Sequence, residues 1–187
     1  MLSSTVKDYF AKKLIMDELR RVKAAELDEI WQMYQQCIST LNEAGIFQWD
    51  ENYPSLRTLE RACAAQSLFA LRDAGQLAGA VILDEQQAAE WSEVHWQLTE
   101  GKTLVIHALA IPALQQGRGY GRRLLQSCEA YATTNGYQQI RLDVYSGNPV
   151  ALSIYEKFNY RKVGFVDFDF KPEGCQRYYC YEKKTAS

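Results

Sequence analysis

The sequence predicts an α/β domain, and three observations carry that expectation. Leu104 to Ile111 is a continuous apolar run broken by one histidine, which suits a strand covered on both faces. After Gly121 the apolar residues Leu124, Leu125, Cys128, Tyr131 and Ala132 recur at helical spacing, and Asn135-Gly136 closes that helix. Short apolar or alternating stretches bounded by turn residues stand on either side of this strand–turn–helix unit.

Taken in order, residues 1–15 read as an accessory segment with a short helix from about Thr5 to Leu14, and Met16 opens a single domain running to residue 187. Leu19 to Val22 suits a first edge strand. From Ala24 the residues Leu27, Ile30, Trp31, Tyr34, Ile38 and Leu41 mark a long amphipathic helix that ends near Gly45. Gly45 to Pro54 is aromatic, acidic and broken by Gly and Pro, hence a loop, and Ser55 is placed to cap a helix through Ala65. Ser67 to Leu71 and Leu77 to Leu83 form a hairpin about Asp73-Ala74-Gly75-Gln76. Residues 84–101 are polar with Trp91, His95 and Trp96 embedded, an insertion that covers the acceptor side or serves a homodimer contact. Gln138 to Tyr145 alternates as a strand, Asn148-Pro149 starts a further helix, and Arg161 to Phe170 with Arg177 to Glu182 complete the sheet.

Between the central strand and its helix lies Gln116-Gly117-Arg118-Gly119-Tyr120-Gly121. Three glycines at alternate positions bare the backbone, so successive N–H groups can converge on one anion at the positive end of the helix. Arg118, Arg122 and Arg123 add charge. The spacing is neither a Walker loop, which needs Gly-Lys-Ser/Thr, nor a dinucleotide fingerprint, whose third glycine would fall on Arg122. The remaining choices are a pyrophosphate site and a glycine turn without a ligand.

Gln116-x-x-Gly119-x-Gly121, preceded by Leu109-Ala110-Ile111 and followed by an amphipathic helix, resembles the acyl-CoA-binding signature of the GNAT N-acetyltransferase superfamily. Asn148 to Phe158, reading NPVALSIYEKF, resembles the later helix of the same family. The resemblance implies a GNAT fold: a mixed, mostly antiparallel sheet with helices on both faces and an acyl-CoA cleft between splayed central strands. It also implies acetyl-CoA as co-substrate, with residues 116–122 on the pyrophosphate and the backbone of Leu109, Ala110 and Ile111 along the pantetheine arm. Asn148 then serves the pantetheine amide or acts as a helix cap only. One departure is Asn159, where the family commonly has Gly; Asn tolerates the left-handed conformation needed at a helix end.

Acetyl transfer to an amine needs a neutral amine, a polarised carbonyl, an aligned thioester and a proton for the departing thiolate. Tyr155 lies two helical turns beyond Asn148, so the two share a groove; its phenol is a fitting general acid, and the alternative is a buried tyrosine with its hydroxyl bonded elsewhere. Alternation places His107 on the same side of its strand as Val105 and Leu109, where it serves as a base for the amine or as a satisfied core residue. The strand His107-Ala108-Leu109-Ala110 resembles that of arylalkylamine N-acetyltransferases, whose histidines deprotonate the amine. Trp49, Asp50 and Tyr53 offer ring faces and a carboxylate for a cationic acceptor; the alternative is that the rings fasten the loop to the core. The expected activity is direct acetyl transfer to the primary amine of a small molecule. The alternatives are a protein N-acetyltransferase and a non-catalytic acyl-CoA sensor or interaction module.

Composition bounds the rest. The 187 residues, 47% apolar and 24% charged, are ordinary for one globular domain. A formal charge of −2 gives no footprint for nucleic acid or an anionic membrane, and no apolar stretch suits a signal peptide or a membrane span. Five cysteines without a C-x-x-C pair and only two histidines argue against a disulfide framework and against a metal site. The expected location is the cytoplasm.

Overall fold

In the computed structural model, which describes residues 19–185, Leu19–Arg21 opens the sheet as edge strand β1. The short helix and the boundary at residue 16 expected from sequence lie outside the described residues. Helix α1 (Leu27–Glu43) buries Ile30, Met33, Tyr34 and Cys37; of the predicted stripe Ile30 and Tyr34 are buried, while Leu27, Trp31, Ile38 and Leu41 pack partly buried beside them. Helix α2 (Leu56–Ala64) starts where Ser55 Oγ accepts the Thr58 N–H at 3.3 Å. Strands β2 (Leu68–Asp73) and β3 (Gln76–Asp84) meet at Ala74-Gly75, both with positive φ, as a two-residue hairpin turn demands.

Strand β4 (Thr103–Ala110), helix α3 (Tyr120–Thr134) and strand β5 (Gln139–Tyr145) form the predicted central unit. Asn148 caps helix α4 (Pro149–Lys157), its Oδ1 accepting the Ala151 N–H at 3.0 Å. Strands β6 (Arg161–Asp167) and β7 (Arg177–Lys184) finish the chain as an antiparallel pair. The seven strands make one sheet in the order β1-β2-β3-β4-β5-β7-β6, in which only the β4–β5 pair is parallel.

Helices α3 and α4 pack on one face, over Val81, Leu83, Leu104, Ile106, Ile140 and Leu142. On the other face α1 and α2 cover Leu68, Ala70, Ala80 and Ile82. The β5–β7 half of that second face is covered differently, by the 85–102 segment and the loop after β6, which enclose Val105, Tyr145, Val166 and Tyr178. Trp91, 2% exposed, is the anchor of the former and packs at a tilt against Trp96 with ring centroids 5.1 Å apart. The insertion is therefore a lid on the sheet, held by its own aromatic residues and by Glu182, which accepts the Leu98 N–H at 3.1 Å.

Two irregularities in β4 set up the site. Its ladder with β5 spans only Thr103, Leu104 and Val105, while β5 stays paired with β7 along all seven residues. Beyond Val105 the two central strands part. Near the end of β4, Ala108 takes φ +48° and the register with β3 slips, a β-bulge, and the Tyr34 hydroxyl donates to the Ala108 carbonyl at 2.6 Å. The bulge reverses the inside–outside alternation. Leu109 therefore packs with Leu104 and Ile106 on the α3–α4 face and not on the Val105 side where strict alternation would put it beside His107.

Gly79 on β3 faces this bend, and a Cβ there would lie 2.8 Å from the Ala110 carbonyl oxygen and 2.7 Å from Ile111 Cδ1. Gly79→Ala should cost about 1–3 kcal/mol by overpacking, read as a lower urea midpoint. An unchanged midpoint would show that the β3–β4 spacing yields freely at this point.

Candidate active site

The parted strands open a cleft on one side and a cavity on the other. The cleft, about 580 Å³, runs from the glycine turn past Leu109, Ala110 and Ile111 to the α4 residues Val150, Ala151 and Ile154. Gly117 and Gly119 have φ of +74° and +84°, left-handed values that glycine adopts without strain, and nothing lies within 4 Å of where their Cβ atoms would be. The N–H groups of residues 117–122 donate to no acceptor among the described residues; the first α3 bond onto the turn is from Arg123 to the Gly119 carbonyl, at 3.1 Å. A row of unspent donors at a helix N-terminus, with bare backbone around it, fits a diphosphate.

Around this turn the side chains divide. Gln116, Tyr120 and Arg122 line the cleft, as do Gly117, Gly119 and Gly121. Arg118 turns to Gln115 Oε1 at 3.3 Å, and Arg123 lies 3.6 Å from Asp73, which also accepts from the Tyr120 hydroxyl. Asn148 caps α4, as expected of it, and also lines the cleft; its Nδ2 donates to Gln48 Oε1 at 2.9 Å.

The cavity on the other side, about 280 Å³, is lined by His107, Asp143, Tyr155, Trp49, Tyr53, Phe168, Phe170, Lys171 and Tyr178. It meets the cleft at Gln48, Trp49, Leu109 and Ala151, which line both. His107 Nε2 sits 3.2 Å from Asp84 Oδ1 and 3.1 Å from the Gln86 carbonyl. Burial lowers the His107 pKa, but the Asp84 bond together with the charges of Asp84 and Asp143 outweighs it and carries the pKa above the ordinary histidine value. Asp143, on β5, donates nothing and accepts the Trp91 indole N–H at 3.1 Å; burial pushes its carboxyl up to about 6, against the pull of His107, Trp91 and Lys171. Burial likewise raises the Tyr155 phenol well above its usual 10, so it keeps its proton at neutral pH.

The structure thus brings His107, Tyr155, Trp49 and Tyr53 into one cavity and the glycine-turn residues with Asn148 into the adjoining cleft. Asp50 stands apart: its Oδ1 accepts the N–H groups of Asn52 and Tyr53 at 2.7 and 3.0 Å and holds the loop's shape. Sequence reasoning missed four contributors, Asp84, Asp143, Gln48 and Lys171. Only Asp143 left a signal: in IRLDVY it alternates with Ile140, Leu142 and Val144, which puts a carboxylate on the second face of a central strand.

The parallel pair β4–β5 thus parts over a glycine-turned helix N-terminus, with a cavity at the fork. The profile of the Acetyltransferase (GNAT) family matches residues 27–160, and the chain belongs to that family. Its members generally use acetyl-CoA. Among solved structures, a GNAT-family acetyltransferase from Streptococcus agalactiae superposes with a TM-score of 0.77 at 19% identity, over 90% of this chain and 95% of that one. One from Listeria monocytogenes gives 0.69 at 19%, covering 89% and 93%. The ribosomal-protein-S18-alanine N-acetyltransferase of Escherichia coli gives 0.65 at 14%, covering 90% and 94%. These likenesses show the shared fold. Among curated protein sequences there is no significant match.

The raised Asp143 pKa has a consequence for stability. Between the unfolded value near 4 and the folded value of about 6 the native state binds more protons than the unfolded one, so this group's contribution falls as pH rises. Asp143→Asn, which keeps an acceptor for Trp91, should gain about 2 kcal/mol relative to the parent between pH 4 and pH 7. Parallel stability–pH curves for the two proteins would contradict the assignment.

Proposed function

We propose that the protein transfers the acetyl group of acetyl-CoA directly to the primary amine of a small molecule, in a ternary complex. The observation that carries this reading is the junction of the two spaces: the donor cleft and the His107–Tyr155 cavity share the walls formed by Leu109 and Ala151. A thioester laid along Leu109 to Ile111 would present its carbonyl at that junction.

The chain's own groups then have separable tasks. The N–H groups of residues 117–122 hold the diphosphate, and the backbone released by the parting of β4 and β5 pairs with the amide-bearing arm. His107 in its neutral form takes the amine's proton, with Asp84 fixing the ring and stabilising the imidazolium. Tyr155, protonated at working pH, supplies the departing thiolate. Enclosure by the buried rings of Phe168, Tyr178 and Trp49 supports a small acceptor over a folded protein surface.

Thiol release from acetyl-CoA in the presence of an amine panel tests this. Because the His107 pKa is raised, kcat/KM should climb with pH through a midpoint above 6.5, and His107→Gln should remove that limb. Tyr155→Phe should lower kcat by about 10²-fold or more at pH 7. Binding of acetyl-CoA with no thiol release to any amine would favour the sensor reading instead.

A further inference from the structure

We propose that the acceptor is an amine that also carries a carboxylate, and that Lys171 is the residue that receives this carboxylate. The inference rests on the acetyl-transfer reading above and narrows its substrate class to amino carboxylates.

Lys171 lies in the loop between β6 and β7, is 8% exposed, and lines the same cavity as His107 and Asp143. Its backbone N–H bonds to the Phe168 carbonyl at 3.0 Å, which fixes where the side chain leaves the loop. Its ammonium has three donors. One goes to the Gln48 carbonyl at 2.8 Å, and the charge rests near the rings of Tyr53 and Phe170, at 5.6 and 5.7 Å. Among the described residues no carboxylate lies within ion-pair distance of it. Two carboxylates act on it from further off, Asp50 and Asp143, and neither forms an ion pair with it.

A buried cation is ordinarily paired, because desolvation is costly and ring faces offset only part of it. Here burial lowers the Lys171 pKa, which is the mark of a charge short of partners. An incoming carboxylate supplies the missing acceptors. The cavity also presents the complementary sign, since Asp143 and the Asp84-bound His107 suit an ammonium or the amine derived from it. Trp49, Phe168 and Tyr178 line the same space and suit an apolar body. A molecule with an amine, a carboxylate and a hydrocarbon part matches all three; a simple alkylamine would leave the buried ammonium with the deficit it already has.

The test compares matched acceptors differing only in the carboxylate, phenylalanine with phenethylamine and 4-aminobutyrate with propylamine, at saturating acetyl-CoA. The expected result is at least a tenfold higher kcat/KM for the carboxylate member of one pair, carried mainly in KM. Lys171→Met should bring that ratio close to one and Lys171→Arg should retain it. Ratios near one in the parent protein, or an equal loss on both members in Lys171→Met, would overturn the proposal and leave amine acetylation standing. Calorimetric titration of the same four compounds into the protein–CoA complex separates the two readings. Carboxylate-selective binding that Lys171→Met abolishes, without any acetyl transfer, would keep the carboxylate site and remove the transferase reading. No binding by any of the four would overturn the carboxylate site.

Discussion

The interaction on which the rest depends is one that stops: the parallel ladder between β4 and β5 ends after Val105. Strand β5 stays with β7, to which it is paired along all seven residues. Strand β4 is in turn drawn to β3, and its bulge at Ala108 is held from the opposite layer by the Tyr34 hydroxyl on the Ala108 carbonyl. Buried backbone groups without partners are expensive, so a gap in the middle of a sheet persists only where something else takes up those groups. In the proposed reading the gap is the donor site, and an extended amide-bearing chain is the partner it suits.

Everything around the gap divides the work between its two sides. Toward α3 and α4 the chain offers backbone: glycines in left-handed conformation and N–H groups with no acceptor among the described residues. Toward the loops it offers side chains: a histidine on a carboxylate, a buried acid with a raised pKa, a tyrosine that holds its proton and a buried lysine. Gln48 ties the two together. Its side chain accepts from Asn148 at the α4 cap, while its carbonyl accepts from both Lys171 and Tyr178. The loop between α1 and α2 is therefore fixed to the cleft and the cavity at once, which in the proposed reading would keep the carbonyl carbon and the amine in register.

Sequence order and periodicity made most of the frame legible. The apolar run at 104–111, the glycine turn, the helix spacing after Gly121 and the Asn148-Pro149 cap are local signals, and each element appears where its residues place it. The parting of β4 from β5 came only through the family resemblance, because it depends on which strand β7 chooses, a contact about forty residues away in the chain. The bulge left no local trace: alanine, not glycine, takes the positive φ at residue 108, so alternation carried Leu109 to the wrong face. The cavity that holds His107 and Tyr155 was legible only in pieces. His107, Tyr155, Trp49 and Tyr53 each look ambiguous alone, and what brings them together is the packing of two distant loops, with Asp84 and Lys171 arriving from segments that have no pattern of their own. Asp50 shows the reverse, a residue of suitable chemistry whose oxygen is already bonded to its own loop.

The most direct test of the central claim is a calorimetric titration with acetyl-CoA, compared with CoA and with adenosine diphosphate. If the parted strands are the donor site, acetyl-CoA and CoA should bind saturably at one site and much more tightly than the diphosphate, because the arm adds backbone pairing along Leu109 to Ile111. Equal affinity for all three would confine recognition to the glycine turn, and no binding by folded protein would contradict the account.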